Sequence, residues 1–247
     1  MYFLISLFMA LAPAFFLLWY FNRMDKAKPE PKGMIIKIFL WGIFIIIPAI
    51  IIELIIDNFY STILGAAPLL YIGAKSFIVA GVIEEGLKLW VVLQFAYKNV
   101  NFDEAMDGIV YAIVASMGFA AFENVIYVMG HGMEIAILRA FTSLPLHAIA
   151  TGIMGYYIGQ AKFAVDSRTE LQLIVKGFFI AVIIHGLYNF LIFGGEVFGF
   201  LPALLNIPLL IGCFIYLRKL IKSAISDDEL AGRHDNLVEI NESEEEI

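Results

Sequence analysis

Charge is scarce in this chain of 247 residues. Asp, Glu, Lys and Arg make up only 16% of it, while 61% is hydrophobic. An ordinary water-soluble domain carries roughly 25% charged residues. A single core of this size cannot hide so much apolar surface, so a soluble enzyme is excluded and the solvent must be lipid. Cysteine is nearly absent. Cys213 alone cannot form an internal disulfide, and nothing about the redox compartment follows from it. No basic face for nucleic acid is present. Of 16 bases and 23 acids, residues 227–247 take one base (Arg233) and nine acids, which leaves 15 against 14 in the rest of the chain. An acidic run of this kind is expected to be a solvated, disordered tail. An internal repeat, a soluble domain and β-barrel alternation are also missing.

What the sequence does contain is seven apolar stretches, near 2–21, 34–56, 70–97, 108–129, 135–160, 173–193 and 198–217. Each approaches the about 20 residues that a membrane-crossing helix requires. The predicted fold class is therefore all-α, a polytopic transmembrane helical bundle of about seven helices. Residues 1–222 form the membrane unit, with its core near 70–193, and 223–247 form the acidic tail. Met1 to Leu7 contains no base, and the positive charges follow the first apolar run, which argues for a retained helix over a cleaved signal peptide. With the N-terminus outside, Arg23, Lys26, Lys28, Lys32, Lys98, Lys162, Arg168, Arg218, Lys219 and Lys222 all fall on the cytoplasmic side. The outer loops 57–69, 130–134 and 194–197 carry no Lys or Arg. The positive-inside rule thus predicts N-out, C-in.

Ionisable side chains inside these stretches are costly and mark function. The third stretch carries Glu84, Glu85 and Lys88, with Glu84 and Lys88 at i and i+4 on one helix face. The fourth carries Glu123, Asn124 and Tyr127, the fifth His147 and Thr151, and the sixth His185 and Asn189. At about 1.5 Å of rise per residue, four helices can bring these groups into one layer between the middle and the outer half of the bilayer. Lys75 is expected to snorkel to the outer surface, and Arg139 to pair with Glu134 or help close the site. Gly118, Ala121, Gly152, Gly155 and Gly159 read as close-packing faces.

Two chemistries suit such a cluster. Neighbouring carboxylates in a low-dielectric site do not both ionise easily, and a carboxyl so tuned can act as general base on water. Lys88 would support one carboxylate, and His185 with Asn189 would donate to an oxyanion. Alternatively, two His and a Glu could bind a catalytic zinc ion, with Glu123, His147 and His185 as candidates. The sequence has no HExxH. A proton-coupled transporter also uses Glu and His in the membrane, but inverted repeats and matched broken helices are missing. A third reading has the cluster only holding helices together.

The motifs carry a resemblance. Glu84-Glu85-Gly86-Leu87-Lys88 reads EExxK, Phe122-Glu123 to Tyr127 reads FExxxY, and His185-Gly186-Leu187-Tyr188-Asn189 reads HGxxN. The run Phe102 to Tyr111 and the turn Gly130-His131-Gly132 lie between them. In this order, over roughly residues 10–217, they resemble the PrsW family of bacterial intramembrane proteases, relatives of the CAAX prenyl protease and bacteriocin-processing group. The resemblance implies a multi-pass protease of the bacterial plasma membrane. It implies a single-pass anti-sigma factor as substrate, first cut near the extracytoplasmic side, and a second intramembrane protease acting on the product in a stress response. It ties activity to Glu84, Glu85 and His185, and the wider group implies a glutamate-activated water with an oxyanion hole from His185 and Asn189. Glu123 and His147 would complete the site or bind a metal, with Lys88 and Tyr127 in support. A CAAX-type or peptide-processing protease with another substrate is the nearest alternative.

Overall fold

The computed structural model describes the backbone of residues 2–24 and 28–245, with the side chains of all of these except 2, 3, 196 and 233–245. Among the described residues all regular secondary structure is helical. α1 (Tyr2–Asn22) leads to α2 (Lys32–Phe44), α3 (Ile46–Leu64) and α4 (Pro68–Gly73). A π-helical segment, Ala74–Glu84, then runs directly into α5 (Glu85–Phe95). α6 (Ala105–His131), α7 (Met133–Phe141), α8 (Ser143–Lys162) and α9 (Ser167–Phe193) follow. The short α10 (Gly195–Phe198) and α11 (Leu201–Leu204) precede α12 (Asn206–Glu245).

Several apolar stretches that read as single helices are broken, and proline gives the reason. Pro48, Pro145 and Pro208 are each the third residue of α3, α8 and α12. Proline has no N–H for the carbonyl four residues earlier, and its ring crowds that carbonyl. Those carbonyls belong to Phe44, Phe141 and Leu204, the last residues of α2, α7 and α11. The helical path nevertheless continues through each break. Among the described residues six runs are long and apolar enough to cross a membrane: Leu4–Asn22, Lys32–Leu64, Ala105–His131, Met133–Lys162, Ser167–Phe193 and Leu201–Gly232. The seventh expected crossing is the composite of α4, the π segment and α5.

α6 and α8 form the centre. Every residue of α6 from Ala105 to Ala121 is buried, and α8 is buried along most of its length. Their inner ends meet backbone to backbone: a Cβ built at Gly159 would lie 2.1 Å from the Ala105 carbonyl oxygen, and one at Gly108 would lie 2.4 Å from that of Gly155. Gly42 of α2 and Gly118 of α6 make the same approach. Small residues permit this close van der Waals contact, which substitutes for the hydrophobic effect where the solvent is itself apolar. On the outer faces of α1 and α3, Phe8, Phe16, Leu54, Ile55 and Phe59 are exposed, as side chains facing lipid tails should be.

The inner helix ends are capped. Glu104 and Asp107 form a capping box at the start of α6, and Asp228 of α12 accepts from the N–H groups of Ala105 and Met106 at 2.7 and 3.0 Å. Asp166 accepts from the N–H groups of Arg168 and Thr169 at 2.9 Å each at the start of α9. These bonds, that from Thr169 foremost, hold its carboxyl below the usual carboxylate range. Such caps satisfy donors that the first helical turn leaves open. Of the tail expected over 223–247, residues 223–232 continue α12, with Ala224 buried and Asp228 capping α6; the side chains from 233 onward lie outside those described.

Candidate active site

The π segment ends at Glu84, and ordinary α geometry resumes at Glu85. Wider π turns are rare and concentrate at functional sites. Three and four residues on, the Lys88 side chain meets both carboxylates: its Nζ lies 2.7 Å from Glu85 Oε1 and 3.3 Å from Glu84 Oε2. The sequence suggests Glu84 as the partner of Lys88 and leaves Glu85 alone; the structure makes Glu85 the closer one. Glu85 is fully buried and bound on both oxygens. Oε1 also meets His185 Nδ1 at 2.8 Å, and Oε2 accepts from the Thr151 hydroxyl at 2.8 Å.

Burying an ion pair in a bilayer is tolerable only if every remaining polar contact is made. The cluster meets that demand at Glu85 and carries its network across five helices, α5 to α9. His147 Nδ1 lies 2.9 Å from Lys88 Nζ, and its Nε2 lies 3.0 Å from Glu123 Oε2. Arg139 donates to Glu123 at 2.7 Å and to Asn124 Oδ1 at 2.9 Å, and Asn124 in turn donates to the carbonyl of Ala10. Ser116 donates to the His147 carbonyl at 2.8 Å and lies 2.9 Å from the Thr151 hydroxyl. The two imidazoles stand edge to face with centroids 5.0 Å apart.

A cavity of about 810 Å³ opens in front of the cluster. Glu84, Glu123, His147, His185, Asn189 and Tyr127 line it, whereas Glu85 and Lys88 lie behind. The six residues taken from sequence as catalytic candidates therefore come together, with the paired glutamates divided into one that fronts the cavity and one that backs it. Asn189 lies one turn beyond His185 on the cavity wall. Tyr127 stacks under the Arg139 guanidinium, 4.0 Å from its ring centroid. Arg139 takes Glu123 as partner instead of Glu134, and Lys75 lines the cavity 3.6 Å from Asp57. Glu53, absent from the candidates read in the sequence, also lines the cavity; its signal is a lone carboxylate in the apolar stretch 34–56. Ser116 carried none.

The donor set can be tested for a metal ion. One ligand atom from each of Glu84, His147 and His185 lies within 4.8 Å of the other two. His147 Nδ1 and His185 Nε2 lie 3.9 and 3.8 Å from Glu84 Oε2. The opposite nitrogen of each ring rests on a carboxylate, Glu123 for His147 and Glu85 for His185, the arrangement that orients imidazole ligands in metal sites. Glu123, a ligand candidate from sequence, is drawn instead to Arg139 and the far side of His147, and Glu84 takes its place. Two imidazoles and one carboxylate fit zinc with an open position. The fit asks Lys88 to release His147 while it keeps Glu85.

Comparison with known proteins agrees with this geometry. A family model described as PrsW family intramembrane metalloprotease matches residues 30–215. The chain is 35% identical over 198 residues to Protease PrsW of Geobacillus kaustophilus, covering 80% of this chain and 84% of that one. It is 32% identical over 182 residues to Protease PrsW of Bacillus subtilis, covering 74% and 80%. To Protease PrsW of Clostridioides difficile it is 30% identical over 188 residues, covering 74% and 77%. No solved structure matches the chain. With the matched region spanning every helix that supplies the cluster, this chain belongs to the PrsW family of intramembrane metalloproteases, multi-pass bacterial membrane enzymes acting on membrane-bound substrates.

Proposed function

We propose that the chain makes the first, extracytoplasmic cut in a single-pass anti-sigma factor, and that a second intramembrane protease then acts on the product. The observation that carries the catalytic part is the division of the glutamate pair. Glu84 faces a cavity beside two imidazoles, while Glu85 is clamped behind it by Lys88, His185 and Thr151.

Glu84, His147 and His185 would hold a zinc ion. When bound, it supplies Lewis acidity and lowers the pKa of a coordinated water to about 7. Glu84 uses only Oε2 in the cluster's contacts, which leaves its second oxygen to take a proton from the attacking water and pass it to the departing amine. Glu85 fixes the His185 ring through Nδ1, and Glu123 fixes His147 through Nε2. Asn189 donates its amide to the oxyanion as the scissile carbonyl becomes tetrahedral. Arg139 holds Glu123 in place and, with Tyr127, forms the wall nearest the outer helix ends.

The test is an immunoblot of membranes in which a tagged anti-sigma factor from the source organism is co-expressed with wild type, Glu84→Gln or Glu85→Gln at matched levels. A shortened fragment with wild type alone is expected. Equal fragments in all three would remove the glutamates from the chemistry, and no fragment in any would remove the anti-sigma factor as substrate.

A further inference from the structure

Four buried side-chain atoms among the described residues have no hydrogen-bond partner within the protein. Two of them, Glu53 Oε1 and Asn206 Oδ1, belong to residues that line the cavity in front of the catalytic cluster. They come from separate elements, Glu53 from the middle of α3 and Asn206 from the first position of α12. Asn206 is 2% exposed, and its amide nitrogen donates to the Tyr188 carbonyl at 3.4 Å, so the oxygen is the atom left over. The cations that line the cavity are engaged elsewhere: Lys75 with Asp57 and Arg139 with Glu123. The proposed mechanism uses neither Glu53 nor Asn206.

Both orphan atoms are acceptors, and a buried acceptor without a donor is destabilising. Two of them in one cavity are placed to accept N–H groups from a molecule that enters it. A protease substrate brings such groups. Peptide hydrolysis requires the segment around the scissile bond to leave its helix, and every N–H so freed in a lipid environment must find an acceptor. Many peptide-binding proteins meet that need with the edge of a sheet. Here no strand exists among the described residues, so side chains must serve. We infer that Glu53 and Asn206 dock the substrate's unwound main chain, each accepting one backbone N–H from a residue flanking the scissile bond. This assignment rests on the protease reading and names two positioning residues beyond it.

The test begins with a panel of synthetic single-span peptides, each with a helix-breaking Gly-Gly pair in the outer third of its apolar segment, reconstituted in vesicles with the full chain. A peptide cut by wild type and left intact by Glu84→Gln is carried forward. On it, Glu53→Leu and Asn206→Leu should each raise KM about tenfold, the effect of losing one hydrogen bond, with kcat within about twofold. The unfolding temperature of Glu53→Leu should equal or exceed that of wild type, because it removes an unsatisfied buried acceptor, whereas that of Asn206→Leu, which also gives up the long hydrogen bond to the Tyr188 carbonyl, should fall slightly. Glu53→Gln, which keeps an acceptor, should restore KM. N-methylation of the docked amide should weaken cleavage by wild type and leave the matching Leu variant unaffected. A wild-type KM in both Leu variants would overturn the assignment, as would a raised KM in Glu53→Leu accompanied by a lowered unfolding temperature, the signature of a merely structural role. Failure of wild type to cut any peptide would remove the protease reading and this inference with it. Cutting with KM unchanged in the variants would remove the inference alone.

Discussion

At the inner end of the α6–α8 pair, Gly108, Gly155 and Gly159 let two backbones touch. Toward the outer end the same helices meet through polar side chains, Ser116 against the His147 carbonyl and Thr151, and Phe119, Glu123 and His147 line a cavity. The inner contact is apolar and shape-matched. The outer one is polar and fully wired, from Ala10 through Asn124, Arg139, Glu123 and His147 to Lys88, Glu85 and His185. A rigid seam at one end allows a spaced, charged site at the other, because the helices cannot collapse onto the cavity. Stability and catalysis thus occupy different lengths of the same two helices.

That division can be broken most severely at the seam. Gly159→Val places atoms onto the Ala105 carbonyl, where a Cβ alone comes within 2.1 Å. Overpacking a tight site costs about 1–3 kcal/mol or more, and with backbone as the obstacle the larger end applies. The yield of folded protein in detergent should collapse, and a normal yield would refute the seam. At the outer end, Glu84→Gln should lower cleavage by about 10²–10⁴-fold, the usual contribution of a general base, with circular dichroism unchanged. Lys88→Met sharpens the contrast, since it leaves Glu85 buried without its cation. Breaking one side of a buried pair costs about 3–5 kcal/mol, so both thermal stability and activity should fall. The smallest effect belongs to the exposed inner cap. Because the folded-state pKa of Asp166 is depressed from 3.8, its stabilising contribution is present above the unfolded value and is lost as pH falls through the folded one. Asp166→Ala should therefore lower the unfolding temperature slightly at pH 7, and the difference from wild type should vanish as the pH is taken well below 3.8.

Much of this was legible in the sequence, for physical reasons. Lipid solvent leaves helix as the natural form of a long apolar run, so the all-α class follows from composition, and buried charge is so costly that Glu84, Glu85, Glu123, His147 and His185 stand out wherever they occur. What stayed hidden depends on three-dimensional phase. The π segment rotates Glu84 and Glu85 relative to the residues before them, so helix periodicity alone could not say which carboxylate fronts the cavity. Pairings across helices, such as Arg139 with Glu123 or Thr151 with Glu85, depend on packing angles that spacing along one chain does not contain. The helix breaks were readable from Pro48, Pro145 and Pro208, but the apolar runs continue through them and concealed them.

The central claim is that Glu84, His147 and His185 form one metal-binding catalytic centre facing the cavity. Elemental analysis of the purified chain by plasma mass spectrometry tests it most directly, with wild type, His147→Ala and His185→Ala compared at equal helical content. About one zinc ion per wild-type chain, as for a catalytic site with three protein ligands, and its loss from both variants is the predicted result. Equal metal content in all three proteins, or a wild-type preparation that cleaves substrate with no metal bound, would contradict the account.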